Sequence, residues 1–385
     1  MKPQQTLILL LGASITTATA DPNPRYESIR QEIRQSIARG NNWLKTQQKP
    51  DGNWDDPELP AFTALALNAA VRDPNLDRSA KFPDSIEKGY TWLLAQQKED
   101  GGIYNRGLSV YNTATSVTAL MAANRKDFEP AVVKARKHLI SRQWDIGQKK
   151  ETDNTNDGGI GYGSKDDHTD LSNTYLAIEA LALSKKVIED GNHGEQPDLD
   201  WDAAVTFLSR CQNLEETNDQ TWASNDAKNK GGFIYTPGQS KAGEEKTPEG
   251  RTALRSYGSM SYAGLLSLIY AKVSADDPRV IAVKGWLTKN YTLDENPGLG
   301  DEGMYYYYQA MAKALSSANV NLLKLENGKE ADWRSELATK LLSKQRENGS
   351  WINDNGRWME SNPVLVTAYT ILSLEQIYDS IPTKQ

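Results

Sequence analysis

Arg39-Gly40-Asn41-Asn42-Trp43-Leu44-Lys45-Thr46-Gln47-Gln48-Lys49-Pro50-Asp51-Gly52-Asn53-Trp54 joins the end of an amphipathic helix to a tight turn, and a second apolar helix starts soon after at Pro60-Ala61-Phe62. Pro50 presets φ at the second turn position and Gly52 escapes the Cβ penalty at the fourth, which suits a type I turn. Trp54 is placed to fold back on the helix end, its indole N–H free for a polar partner such as Gln48. One helix–turn–helix unit of this kind cannot bury its own apolar face. The chain repeats it.

After the first return helix, expected over 61–71, the second unit reads Lys88-Gly89, Trp92-Leu93, Gln97, Gly101-Gly102, with a return helix over 111–123. The third has Lys134-Ala135, His138-Leu139 and Gln143; an Asp-, Asn- and Thr-rich insert delays its turn to Asp157-Gly158, and the return covers 171–184. The fourth has Phe207-Leu208 and Gln212, a long polar stretch with Gly231-Gly232-Phe233, and a return over 259–273. The fifth is degenerate: Trp286-Leu287 keep their places, Tyr291 stands where Gln belongs, and the return covers 303–315. The sixth restores Leu341, Gln345 and Gly349-Ser350-Trp351, with a return over 363–374. First helices carry charged faces and read as an outer ring. Second helices are apolar nearly all round and read as a buried inner ring. The expected fold is all-α: an (α/α)6 toroid of six helical hairpins in two concentric rings.

The whole chain has 385 residues, 38% of them hydrophobic, and a formal net charge of −7. That charge argues against a phosphate-backbone partner, which would want a basic face, so no nucleic acid is expected. Cys211 is the single cysteine, so there is no internal disulfide. Residues 1–20 read as a secretory signal: Lys2, an apolar run over 7–11, then Ala18-Thr19-Ala20 as a cleavage site. A mature, exported protein would begin near Asp21 as a single domain over 21–385, with no integral membrane span.

The repeated pattern, a basic residue and a small one, an aromatic–aliphatic pair, Gln four residues after the aliphatic, then Gly-x-Trp, is similar to the QW repeat of terpenoid cyclases. Over about 29–374 the chain resembles the superfamily that includes squalene–hopene and oxidosqualene cyclases, with protein prenyltransferase β subunits as relatives. Squalene–hopene cyclases carry Asp-x-Asp-Asp-Thr-Ala at the start of an inner helix, where the middle Asp protonates an alkene. The matching stretch here is Asp170-Leu171-Ser172-Asn173-Thr174-Tyr175. Ser172 stands at the proton donor's place, and a hydroxyl cannot protonate an isolated alkene. The resemblance aims Ser172 at a central cavity and turns Asp170 toward the helix N-terminus as a cap. Prenyltransferases hold zinc with Asp, Cys and His; Cys211 has no Asp-x-Cys before it, and His138, His168 and His193 are scattered, so no metal or cofactor is expected.

Return-helix starts are aromatic and polar, and the candidate cavity residues are Tyr111, Asn173, Tyr257, Ser259, Tyr305 and Trp358. Of four consecutive tyrosines, Tyr305 to Tyr308, at most two can line a cavity. Carboxylates near the same rim are Asp56, Glu58, Asp170, Asp301, Glu302 and Glu360, and the catalytic candidates among these and their neighbours are Asp170, Ser172, Glu302 and Glu360. Asp153-Asn154-Thr155-Asn156-Asp157-Gly158 resembles half a calcium loop, but Ser164 stands where a bidentate Glu is wanted. Three functions stay open: binding of an apolar or isoprenoid-like ligand or a protein; a divergent terpenoid cyclase using another carboxylate; and a secreted enzyme acting on polysaccharide. Fold alone does not choose among them.

Overall fold

The computed structural model describes residues 24–163, 168–191, 193–248 and 250–382. The signal-like segment 1–20 lies outside the described residues. Six hairpins follow in order: α1 (Pro24–Gln47) with α2 (Pro60–Arg72), α3 (Asp84–Ala95) with α4 (Ser109–Ala123), and α5 (Glu129–Ile140) with α6 (Leu171–Leu183). A short helix, α7 (Lys185–Asp190), precedes α8 (Trp201–Arg210) with α9 (Gly258–Tyr270). Then come α10 (Pro278–Lys289) with α11 (Met304–Ser317), and α12 (Trp333–Ser343) with α13 (Pro363–Ser380).

The second helices pack on one another in a cycle: α2 on α4, α4 on α6, α6 on α9, α9 on α11, α11 on α13, and α13 back on α2. They are buried on nearly every side, as in α2, where Ala61 to Ala69 are all buried. First helices bury one stripe; α3 buries Ile86, Gly89, Tyr90 and Leu93 and leaves its charged face in water. The purely helical expectation needs one amendment. Inserts carry two small antiparallel hairpins, Glu244–Lys246 with Thr252–Leu254 and Leu323–Lys324 with Glu330–Ala331.

The turns staple the units together. Gln48 Nε2 donates to the carbonyl of Gly52 at 2.9 Å and to that of Ser85 on the next first helix at 2.8 Å. Gln97 does the same with Gly101 and Ala131, Gln143 with Gly158 and Asp200, and Gln212 with Gly231 and Arg279. Gln345 donates to Gly349 at 2.9 Å and to Ser36 at 3.0 Å, joining the last unit to the first. In the degenerate fifth unit the Tyr291 hydroxyl reaches Glu336 on α12 at 2.9 Å and makes the equivalent link from a different group. Each repeat glycine here has no substitute. Gly158 sits at φ +84, where a Cβ would lie 1.9 Å from the carbonyl oxygen of Ala203.

The turn tryptophans find a different partner from the one their spacing suggests. Trp54 Nε1 donates to the carbonyl of Leu44 at 2.7 Å, and Trp351 Nε1 to that of Leu341 at 2.8 Å. The last helical turn lacks the i+4 donors its carbonyls would have inside a helix, and the indole supplies a donor to one of them. The turn strand is tied inward as well: the backbone N–H of Trp54 meets Thr63, and that of Trp351 meets Thr367, at 2.9 and 3.0 Å.

Candidate functional site

Because all second helices run the same way, their starts gather at one end of the ring. A cavity of about 200 Å³ opens there. Its wall holds Tyr111 from α4, Ser172 and Asn173 from α6, Tyr257, Ser259 and Met260 from the start of α9, and Tyr306 from α11. Leu365 and Tyr369 come from α13, and Trp358, Met359 and Glu360 from the turn before it. The long insert of the fourth unit adds Tyr235 and Lys241, and Tyr162 completes the ring of aromatics.

Asp170 does not face this space. It is fully buried as the N-cap of α6, accepting the Asn173 backbone N–H at 2.8 Å and the Asn173 amide at 2.8 Å. Ser172, two residues on and about 200° round the helix, does line the cavity, and its hydroxyl lies 3.1 Å from that of Tyr306. Asn173 is 1% exposed, lines the cavity, and its Oδ1 has no hydrogen-bond partner. A buried acceptor left open costs free energy unless a ligand or water donates to it.

Tyr305 is a correction. It is buried and packs edge-on against Tyr308, off the cavity wall, while its neighbour Tyr306 takes the lining position. One residue turns a helix through about 100°, so four successive tyrosines cannot share a face. Tyr307 and Tyr308 donate outward instead, to the carbonyls of Thr292 and Leu293. Glu302 is also off the wall, paired with Arg357 at 3.1 Å in a partly exposed position.

Glu360 is, among the described residues, the one carboxylate lining the cavity. It is 1% exposed and accepts the backbone N–H groups of Tyr305 and Tyr306 at the start of α11, plus the Asn353 amide. Burial pushes its pKa up, and those donors pull the other way. The phenols of Tyr111, Tyr306 and Tyr369 are pushed up by burial and stay protonated as donors. Tyr111 and Tyr369 hydroxyls meet at 2.9 Å.

The mouth is strained. Trp358 and Met359 have φ of 52° and 64°, and both are 42% exposed. Bulky side chains rarely adopt that backbone region, and such outliers gather at ligand clamps. Lys241 sits over the Tyr235 ring at 4.3 Å.

Other sequence candidates resolve as packing. His138 is buried between Asp100, 3.2 Å from Nδ1, and Ser109, 3.3 Å from Nε2, and burial pushes its pKa down. Ser109 is itself buried and lies off the cavity wall, so this row reaches no substrate space. Cys211 is buried at the end of α8, its thiol pushed up and inert. In the calcium-like loop the Asp157 carboxylate is spent on the backbone N–H groups of Ile146 and Asn154, both at 2.7 Å, and Ser164 lies outside the described residues. No cluster of metal-ligating side chains occurs among the described residues. None of their helices is long and apolar enough to cross a membrane.

Residue spacing did not point to Tyr235, Lys241 or Tyr369. The first two sit in a polar insert without periodicity, and Tyr369 is deep in a helix whose pattern is apolar all round. Only the closure of the ring brings them to one wall.

No protein-family model matches the chain, and no curated protein does. Solved structures do match. A variant of the type II terpene cyclase MstE from Scytonema, in complex with its substrate geranylgeranyl dihydroxybenzoate, is similar over 92% of this chain and 99% of its own, with TM-score 0.53 and 12% identity. An apo form of a second MstE variant gives TM-score 0.54, also at 12% identity over the same 92% and 99%. Candida albicans protein geranylgeranyltransferase-I complexed with GGPP is similar over 88% of this chain and 90% of its own, with TM-score 0.51 and 14% identity. At these identities the likeness speaks for the fold alone, and the chain has a terpenoid cyclase- and prenyltransferase-like toroid fold.

Proposed function

We propose that this chain is an exported (α/α)6 toroid that binds an apolar or isoprenoid-like small molecule in its cavity without protonating it. The observation that carries the reading is the wall itself: Tyr111, Tyr162, Tyr235, Tyr257, Tyr306, Trp358 and Tyr369 surround the space, with the open Asn173 Oδ1 among them. Aromatic rings supply the apolar area, and one open acceptor orients a ligand's polar end through a donated hydrogen bond. The solved neighbours bind geranylgeranyl compounds, which supports the isoprenoid class. Export rests on residues 1–20 and is tested by N-terminal sequencing of secreted material, expected to start at or near Asp21.

Glu360 favours a second reading, a divergent cyclase. Alkene protonation needs an unusually strong acid, however, and burial makes Glu360 a weaker one while its backbone donors hold the charged form. Glycoside cleavage needs two carboxyl groups across the substrate, and the described wall supplies one. Squalene or a shorter polyprene incubated with purified protein should quench tryptophan fluorescence on binding and return uncyclised. Ser172→Asp alone should restore no turnover. A cyclised product abolished by Glu360→Gln would replace this reading with the cyclase.

A further inference from the structure

The opposite end of the inner ring holds a second cavity, of about 280 Å³, and nothing in the reading above uses it. Its walls come from the late turns of the second helices: Asn68 and Arg72 on α2, Met121 on α4, Glu179 on α6 and Lys313 on α11. Arg78, in the loop after α2, and Lys186, on the short α7, complete it. Four cationic side chains therefore face one carboxylate, in a chain whose formal net charge is −7.

Two of the cations are already matched. Lys313 holds both oxygens of Glu179 at 2.9 Å, and Arg72 lies 3.5 Å from the carboxylate of Asp379. Complementation of the helix dipole explains Arg72, which ends α2, but neither Arg78 nor Lys186, which lie outside the second helices. Among the described residues neither has a carboxylate within 4 Å, and Arg78 acts only at longer range on the buried Glu375, whose pKa it pulls down. Beside them Asn68 is 8% exposed and its amide oxygen has no hydrogen-bond partner.

We propose that this basin binds a compact oxyanion with two or more negative charges, of the phosphate and phosphomonoester class. Guanidinium and ammonium groups converging from a loop and three helices suit several oxygens on one centre, and Arg matches that geometry with two parallel donors. A protonated oxygen or ester hydroxyl donates to the open Asn68 oxygen. Met121 and the exposed Leu183 edge the space with apolar surface that a small organic group can cover.

Titration calorimetry of the purified protein with inorganic phosphate, and separately with glycerol 3-phosphate, against sodium chloride at matched ionic strength tests this. One saturable site is expected. Arg78→Ala combined with Lys186→Ala should weaken it about tenfold or more, since each removes a charged hydrogen-bond donor. Both residues are exposed, and an unchanged melting profile verifies the fold. Lys241→Ala, at the other cavity, should leave phosphate affinity unchanged. The proposal is overturned if neither probe gives saturable binding up to about 10 mM, if the double variant binds as tightly as the parent, or if Lys241→Ala is the change that removes binding.

Discussion

The turn layer and the cavity wall are built from the same repeats and have opposite characters. In the turns the units agree: five glutamines make the same two hydrogen bonds, and Trp54 and Trp351 cap equivalent carbonyls. At the helix starts a few residues away they disagree, presenting Tyr111, Ser172, Ser259, Tyr306 and Leu365 from successive units. Repetition serves closure, because each unit must fit the next in one way. Difference serves the cavity, because six identical walls would recognise little.

If the turn layer holds the ring together, its tryptophans should dominate stability. Trp351→Ala and Trp54→Ala should each cost about 3–5 kcal/mol, the loss expected for a large aromatic in a packed site. Chemical denaturation measures it, and a loss under about 0.5 kcal/mol for both would make the turns ordinary surface. Gly158→Ala should follow at about 2–3 kcal/mol, from a strained backbone and a collision with Ala203. Gln345→Ala should cost about 1–3 kcal/mol by leaving the Ser36 and Gly349 carbonyls without their donor. An equal loss for Gln345→Glu would show that the donated hydrogen bonds, rather than the side chain's bulk, close the ring.

Glu375, in the later turns of α13 and away from the cavity, sharpens the comparison. Both its carboxylate oxygens are buried without hydrogen bonds, and burial pushes its pKa well up against the weaker pull of Arg72, 3.7 Å away. The folded state therefore keeps a proton that the unfolded chain releases. Its contribution to stability is full below the ordinary carboxylate range and declines as pH rises from there through the raised folded value. Glu375→Gln should gain stability relative to the parent as pH climbs from about 5 to about 8, read from melting temperatures. A constant difference across that range would remove the buried proton. Trp358→Ala, at the exposed mouth, should change stability by less than about 0.5 kcal/mol yet weaken polyprene binding several-fold. A large loss of stability with unchanged binding would make Trp358 part of the scaffold.

The sequence by itself determined the repeat, its six helix pairs and the glycine and tryptophan turns. Those depend on interactions a few residues apart, which spacing records. It also located the helix starts that carry Ser172 and Asn173, since a cap and a first turn are local. It did not determine the indole's acceptor, which of four tyrosines faces inward, or the wall contributed by Tyr235, Lys241 and Tyr369. Helix rotation is set by packing against two neighbours at once, and an insert's path is set by anchors far away in sequence, such as Arg210 holding Asp219 and the carbonyls of Thr152 and Asn154. Those contacts exist only after the ring has closed, because closure is what brings late residues such as Gln345 against early ones such as Ser36.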